Sequence, residues 1–372
     1  MAGPGPIVLA TGGTGGHVFP AEALAGELEA RGMPFTLVTD SRGRQWQGAL
    51  SRQPIHYIHS ASPSGSLGAR LKALLSLGWG LFDAWRALGR IHPAAVVGFG
   101  GYASVPTMIA ARLRRTPAMV HEQNAVLGRA NRLIVGGVSR IATSFAPTRF
   151  VGNDRGWLVG NPVRDSVRAL RSSNYRAPGP DRVVDVLVFG GSQGAASFSQ
   201  VIPAALLSLE QPMRARLRVV QQCRPEDLQK VRSTYLQANI VAELAPFFAD
   251  LPQRLASAHL VIGRSGASTV AELATIGRPS ILIPYPYAAD DHQTANARAF
   301  EATGACIVIP HAEFTAPTLA GHLRALIEAP EHMAAMAAAA HAAGRPDAAA
   351  RLADLVGDLI ATPSLSPSGV AA

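Results

Sequence analysis

The stretches IVLATGGTGGH (7–17) and VDVLVFGGSQG (184–194) lie about half a chain apart and read alike. Each is an apolar β-type run followed by glycines and then a helical pattern. A doubly wound α/β domain uses this arrangement to turn backbone N–H groups toward phosphate. Glycine frees the chain for positive φ and lets a diphosphate come close to the main chain. A plain strand-to-helix connection can also use glycine, but finding the device twice implies two domains facing one anionic ligand.

Length agrees: 372 residues, at roughly 150 residues per domain, give two domains. Hydrophobic residues at 48% and charged residues at 16% describe a globular chain with large cores rather than a disordered one. The formal charge of +9 comes almost entirely from arginine, because Lys72 and Lys230 are the only lysines. Such a surplus suits a nucleotide, an anionic membrane or a nucleic acid. Nucleic acid fits least, since the arginines are scattered and aromatics at 6% offer no stacking platform. Cys223 and Cys306 have no metal-ligand spacing and make no disulfide framework, which fits reducing cytoplasm. MAGPGPIVLATGG lacks a basic n-region, so no signal peptide is expected, and no apolar run reaches the roughly 20 residues of a membrane span.

Around the two glycine turns, apolar runs alternate with helical patterns, the signature of a parallel sheet with both faces covered. In the first half strands are expected at 7–10, 35–39 and 95–98, with helices at about 20–31, 68–89 and 105–114. In the second half strands are expected at 183–188, 217–221, 240–241, 260–262, 280–283 and 307–309. The aperiodic, Pro-, Ser- and Arg-rich segment 161–182 reads as the interdomain linker. The expected domains are 1–163 and 164–344; a helix at about 345–361 packs back on the first, and 362–372 is a flexible tail.

Several loops at strand ends carry candidate chemistry. The first glycine turn departs from the dinucleotide fingerprint, because Val18 stands at the third glycine position. That argues against an NAD-dependent oxidoreductase, although Asp40 sits at the end of the second strand. His17 stands at the turn into a helix, where a neutral imidazole can take a proton from a hydroxyl. GFGGYASVP (98–106) follows another strand, and His121, Glu122, Gln123 and Asn124 are consecutive after the next; Asn124 would also serve as a helix N-cap. In the second half Ser192 can donate to a phosphate, and Glu272, in GRSGASTVAEL, either accepts from ribose hydroxyls or simply sits favourably near a helix N-terminus. The segment 284–297 gathers Asp290, Asp291, His292, Gln293 and Asn296, whose amides and imidazole suit sugar hydroxyls. No Asp-x-Asp occurs, so the carboxylate pair that commonly holds a metal on a nucleotide diphosphate is missing. Loop amides, helix N-termini and Arg164 would then stabilise the leaving diphosphate.

Taken together, GGTGGHVFPA, GFGGYASVP, HEQN, GNPVR, FGGSQGA, RSGASTVAE and DDHQTANA, in this order between residues 7 and 308, resemble the MurG family. These are the UDP-N-acetylglucosamine:lipid I N-acetylglucosaminyltransferases of bacterial peptidoglycan synthesis. The resemblance implies a GT-B fold: two Rossmann-like, doubly wound parallel-sheet domains facing a cleft, the donor on the second and the acceptor on the first. It implies inverting, metal-independent transfer of N-acetylglucosamine from UDP-GlcNAc to the muramyl 4-hydroxyl of an undecaprenyl-diphosphate carrier, with no cofactor. Thr14, Gly15 and Gly16 then border the donor sugar and diphosphate, and Asn124 contacts the sugar. Gly100, Gly101 and Tyr102 fall on the acceptor and diphosphate loop, and Arg164 and Ser192 on the phosphate side. The segment Ala267, Ser268, Thr269, Val270, Ala271 and Glu272 lines the nucleotide, with Glu272 as the ribose ligand; His292 and Gln293 contact the donor sugar. The uracil-reading position, usually aliphatic, falls on Phe248. His17 is the preferred general base, with His121 and Glu122 as the rival pair.

The stretch 65–90 places Leu67, Leu71, Leu74, Leu75, Gly78, Phe82 and Trp85 at helical spacing, flanked by Arg70, Lys72, Arg86 and Arg90. Such a stripe is either core or a face that docks on an anionic leaflet. A polyprenyl-linked acceptor favours docking, with Leu71, Lys72, Leu75, Phe82 and Trp85 as membrane contacts. The expected location is the cytoplasmic face of the bacterial inner membrane, held peripherally. Expected partners are UDP-GlcNAc, lipid I, the anionic membrane surface and cell-wall synthesis proteins, with no nucleic acid. The competing assignment is a UDP-GlcNAc 2-epimerase, which shares the architecture and needs no lipid acceptor.

Overall fold

The computed structural model describes residues 5–12, 15–41, 50, 52–61, 67–152, 155–191 and 195–362, with the side chains of 67–74 left aside. Thr14, Ser192 and the expected tail beyond Thr362 lie outside the described residues, as do the side chains of Leu71 and Lys72. The chain divides into two units, 1–164 with 347–372, and 165–346.

The first unit opens with β1 (Ile7–Ala10), α1 (Gly15–Ala30), β2 (Phe35–Thr39), β3 (Ile55–Tyr57) and α2 (Leu67–Ile91). It continues with β4 (Ala95–Gly98), α3 (Val105–Leu113), β5 (Ala118–Glu122), α4 (Arg129–Ile134), β6 (Arg140–Thr143) and β7 (Gly156–Leu158). All seven strands are parallel, in the order β3-β2-β1-β4-β5-β6-β7. Because side chains alternate along a strand, Ile7 and Leu9 enter one apolar layer, while Val8 and Ala10 enter the other with Ala84, Leu88 and Met108. Burial on both faces explains why β1 is apolar throughout instead of alternating with polar residues.

In the second unit come α5 (Asp165–Arg168), β8 (Val184–Phe189), α6 (Ala196–Leu207), α7 (Gln211–Arg214), β9 (Leu217–Gln222) and α8 (Leu228–Gln237). Next are β10 (Val241–Ala245), α9 (Leu251–Ser257), β11 (Leu260–Gly263), α10 (Ala267–Ile276) and β12 (Ser280–Leu282). Then follow α11 (His292–Glu301), β13 (Cys306–Val308), α12 (Ala316–Glu328) and α13 (Pro330–Ala343). Its six-stranded parallel sheet runs β10-β9-β8-β11-β12-β13. Val184, Val186 and Val188 of β8 pack with Phe198, Ile202, Val231 and Leu323 from the helices on one face.

Past a break at Gly344–Pro346, α14 (Ala348–Ala361) belongs to the first unit. Its Leu352, Ala353, Leu355, Val356 and Leu359 join the core of β1, β4 and α1. At the rim Arg31 bonds Asp354 at 2.6 Å and Glu27 at 2.7 Å, linking α1 to α14.

Three readings of the sequence need correction. The helix after the first glycine turn begins at Gly15, not near residue 20, so His17 lies in its first turn. Pro20 sits inside that helix, where its lack of an N–H and its weak helix propensity delayed the sequence reading. The segment 161–182 is not all linker, since α5 and a 3₁₀ turn at Ala169–Ser172 form within it. The strand expected at 240–241 runs from Val241 to Ala245, because Glu243 on its exposed face masks the apolar pattern.

Candidate active site

In both sheets the strand order reverses beside the first strand of the unit, between β1 and β4 and between β8 and β11. Ligands of open α/β sheets bind beyond the carboxyl ends of strands at such a reversal. The four glycine-containing loops of interest follow these four strands.

In the first unit, α1 starts right after the β1 loop and holds His17 half-buried, with Gly15 and Gly16 beside it. The β4 loop closes over the imidazole. Gly100 and Gly101 have φ of 88° and 72°, in the left-handed region, and a Cβ at either would lie 3.3 Å from a ring carbon of His17. Both the backbone and the close approach therefore require glycine. Tyr102 is partly buried and packs on the α2–α3 side of the sheet. Thr11 Oγ1 donates to the His17 carbonyl at 3.1 Å, anchoring the helix start.

His17 Nδ1 lies 2.9 Å from Gln123 Oε1. Gln123 is buried, and its Nε2 donates to the carbonyls of Phe99 at 3.0 Å and His121 at 2.9 Å while lying 3.0 Å from His121 Nδ1. The ring of His121 is fully buried, and its Nε2 donates to the Gly160 carbonyl at 2.9 Å. Burial pulls this imidazole from its ordinary value down to about 4, so it is neutral at physiological pH. Glu122 is buried as well and works as an acceptor hub. Its Oε1 receives Asn124 N at 3.0 Å and Nδ2 at 3.2 Å; its Oε2 receives Gly128 N at 2.8 Å and Asn131 Nδ2 at 2.7 Å. His121 and Glu122 thus turn their polar atoms inward, whereas His17 Nε2 has no hydrogen-bond partner among the described residues and faces Gly101. Asn124 does not cap a helix, because α4 begins at Arg129 after Gly128. Arg164 stacks its guanidinium 4.2 Å above the Phe19 ring of α1. Asp40 is buried at the end of β2, close to Gly12.

In the second unit α10 begins straight after the β11 loop, with Gly266 as its cap and no side-chain cap hydrogen bond among the described residues. Such an uncapped N-terminus attracts anions. Ala267, Val270 and Glu272 are buried, while Ser268, Thr269 and Ala271 are half-buried. Ser265 Oγ donates to the Gln293 carbonyl at 2.8 Å, and Gln293 Oε1 accepts from Tyr285 N at 2.9 Å, so the loops after β11 and β12 are tied together. His292 Nδ1 donates to Ala289 O at 2.8 Å, leaving its Nε2 edge as the ring's other polar group. Asn296, expected among the sugar-facing amides, is instead fully buried and donates to Ser265 O at 3.1 Å. Phe248 is buried with Arg254 stacked 4.3 Å above its ring, so its side chain packs into the unit.

The sequence reading missed Arg264. It is buried, donates to the carbonyls of Ile283 and Pro284 at 3.0 Å each and to Ser197 Oγ at 3.1 Å, and so joins the first turn of α6 to the loops after β11 and β12. Burial lowers its guanidinium to about 10, still cationic at neutral pH. Its position between a strand end and the helix-opening glycine was the available signal. Trp79 was also overlooked, and it is more exposed than Leu75, Phe82 or Trp85 on the same helix. Leu75, Trp79, Phe82 and Trp85 are 61%, 64%, 50% and 45% exposed, whereas Ala84, Ala87 and Leu88 face the core. Arg86 lies by the Phe82 ring and Arg114 by that of Trp85. No described helix is long and apolar enough to cross a membrane.

Two parallel-sheet α/β units, each presenting glycine turns and helix N-termini at the reversal of its strand order, define a GT-B fold. Residues 7–143 match the glycosyltransferase family 28 N-terminal domain and 185–352 its C-terminal domain. A relative from Rhodospirillum centenum, named UDP-N-acetylglucosamine–N-acetylmuramyl-(pentapeptide) pyrophosphoryl-undecaprenol N-acetylglucosamine transferase, is 54% identical over 94% of this chain and 93% of its own. The crystal structure of Acinetobacter baumannii MurG superposes with a TM-score of 0.78 at 28% identity, covering 95% of this chain and all of that one. The chain belongs to glycosyltransferase family 28 and, within it, to the MurG family. The UDP-GlcNAc 2-epimerase of Neisseria meningitidis shares the fold at a TM-score of 0.68 and 13% identity, over 95% of this chain and all of that one.

Proposed function

We propose that this chain transfers N-acetylglucosamine from UDP-GlcNAc to the muramyl 4-hydroxyl of an undecaprenyl-diphosphate-linked MurNAc-pentapeptide, with inversion at the anomeric carbon. The name of the 54% identical relative supports the substrates. The observation that carries the mechanism is the half-buried His17, whose Nε2, without a hydrogen-bond partner among the described residues, faces the glycine loop after β4. As the hydroxyl oxygen attacks the anomeric carbon, Nε2 takes its proton and the electron pair of the breaking C–O bond leaves with UDP. The imidazolium later gives that proton to solvent.

In this reading the uridine diphosphate lies at the N-terminus of α10. Residues Ala267, Ser268, Thr269, Val270, Ala271 and Glu272 line the nucleotide, with Glu272 on the ribose, and the main chain at Phe248 reads uracil. His292, Gln293 and Asn124 contact the sugar; Thr14, Gly15, Gly16, Arg164 and Ser192 serve the diphosphate side. Gly100, Gly101 and Tyr102 receive the acceptor. Backbone N–H groups and arginine stabilise the leaving group without a metal. The exposed aromatics of α2 with their arginine neighbours hold the enzyme peripherally on an anionic leaflet, the cytoplasmic face of the inner membrane.

The test is UDP release from UDP-GlcNAc with and without a short-chain lipid I analogue, in excess chelator. Acceptor-dependent release is expected. Conversion of the donor to its 2-epimer without acceptor would move the chain to the isomerase class, and release restored only by added divalent cation would remove metal independence.

A further inference from the structure

Gln123 settles the proton positions of two histidines. Its Nε2 faces the carbonyls of Phe99 and His121, at 3.0 and 2.9 Å. Carbonyls only accept, so the amide nitrogen must lie on that side. The atom 2.9 Å from His17 Nδ1 is therefore the carboxamide oxygen. Oxygen in an amide accepts only, which places the His17 proton on Nδ1 and, in the neutral ring, the lone pair on Nε2. At the far end the Gly160 carbonyl, 2.9 Å away, fixes the His121 proton on Nε2. His121 Nδ1 is then the acceptor 3.0 Å from Gln123 Nε2, and each end of the chain of bonds agrees with the other.

We propose that Gln123 is a positioning residue that sets the tautomer of His17, with the buried ring of His121 as its backstop, so that the Nε2 lone pair is held toward the Gly100–Gly101 loop. This rests on His17 being the general base. The alternative tautomer would point an N–H at the incoming hydroxyl and could not take its proton. A neutral amide also suits the step itself: when Nε2 is protonated the ring donates from both nitrogens, and Gln123 Oε1 accepts from Nδ1–H before and after. His121, held neutral by burial, keeps its acceptor edge toward Gln123 through the cycle. Gln123 lies 106 residues from His17 in the chain, so the pairing exists only once β5 and α1 are assembled.

The experiment uses the full chain labelled with ¹⁵N-histidine, in long-range ¹H–¹⁵N spectra at neutral pH, with His17→Ala identifying the His17 signals. The expected wild-type pattern is a protonated Nδ1 and an unprotonated Nε2 at His17, shifting toward the Nε2–H form in Gln123→Met. In that variant kcat for acceptor-dependent UDP release should fall about tenfold or more, with the donor KM within about twofold. A wild-type His17 carrying its proton on Nε2 overturns the proposal without any variant having to fold. So does a Gln123→Met spectrum identical to wild type. If His17→Ala keeps wild-type turnover, the base reading itself fails, whatever the spectra show; loss of turnover in His17→Ala alongside an Nδ1–H form that persists unchanged in Gln123→Met leaves the base standing and removes only the role of Gln123.

Discussion

Replacing Glu122 by glutamine tests whether this buried carboxylate organises the loop or takes part in chemistry. Its two oxygens accept four hydrogen bonds, Asn124 N and Nδ2 on one and Gly128 N and Asn131 Nδ2 on the other. Glu122→Gln keeps the shape but turns one oxygen into an NH₂ group, so two donors on that side meet a donor. The two remaining bonds lose their charge. With bonds to a charged acceptor contributing about 1.5–3 kcal/mol each, the variant should lose about 3–5 kcal/mol. At about 2–4 °C per kcal/mol for a unit of this size, the melting temperature should drop by about 6–20 °C. The four tryptophans, Trp46, Trp79, Trp85 and Trp157, all belong to the first unit. Their fluorescence during heating therefore reports the unit that contains Glu122. A melt within about 1 °C of wild type accompanied by lost turnover would refute the reasoning and return Glu122 to the list of reacting groups.

Gly101→Ala places a methyl 3.3 Å from both the Gly12 carbonyl and the His17 ring at a φ of 72°. It should cost about 1–3 kcal/mol and lower kcat more than donor affinity, measured by fluorescence melts and UDP release; an unaltered kcat would contradict the tight seat assigned to the imidazole. Alanine at Trp79, Phe82 and Trp85 together, all at least 45% exposed, should leave the melting temperature within about 2 °C while weakening sedimentation with anionic vesicles. Binding that ignores lipid charge or survives the triple substitution would count against the docking face. The folded His121 takes a proton only near pH 4, whereas in the unfolded chain it does so below about 6.5. The unfolded state thus binds the extra proton in that window, and stability falls as pH drops from 6.5 toward 4 by about 2–3 kcal/mol. Urea titrations at pH 7 and 4.5 should show this slope flattened in His121→Asn; an unchanged slope would place the loss elsewhere.

The two glycine turns were enough to read two doubly wound units, because strand, glycine and helix follow one another within a dozen residues. The short edge strands β3 and β7, three residues each, leave no such local trace. Within the site, His17, Glu122 and Glu272 stood out by residue type. The partner of His17, Gln123, lies 106 residues along the chain, whereas Glu122 accepts from residues two to nine positions on. Asn124 and Asn296 carry the same amide, yet the first is half-buried beside Glu122 and the second is fully buried under Ser265. Periodicity cannot separate them, since the deciding partner lies on another element. Arg264 was passed over for the same reason: its partners are Ser197 in the first turn of α6 and Ile283 and Pro284 in the loop after β12.

The return of α14 to the first unit gives the chain an order of assembly. Residues 165–346 form an uninterrupted segment, while the first unit is built from two pieces that flank it. During synthesis the second unit can complete its sheet before the first has its final helix. Until Leu352, Val356 and Leu359 arrive, the layer of Ile7, Leu9 and Leu24 lacks part of its cover. A nascent chain stalled before α14 would therefore display apolar surface on the unit made first, and a holding chaperone would find its substrate at the beginning of the chain rather than at its growing end.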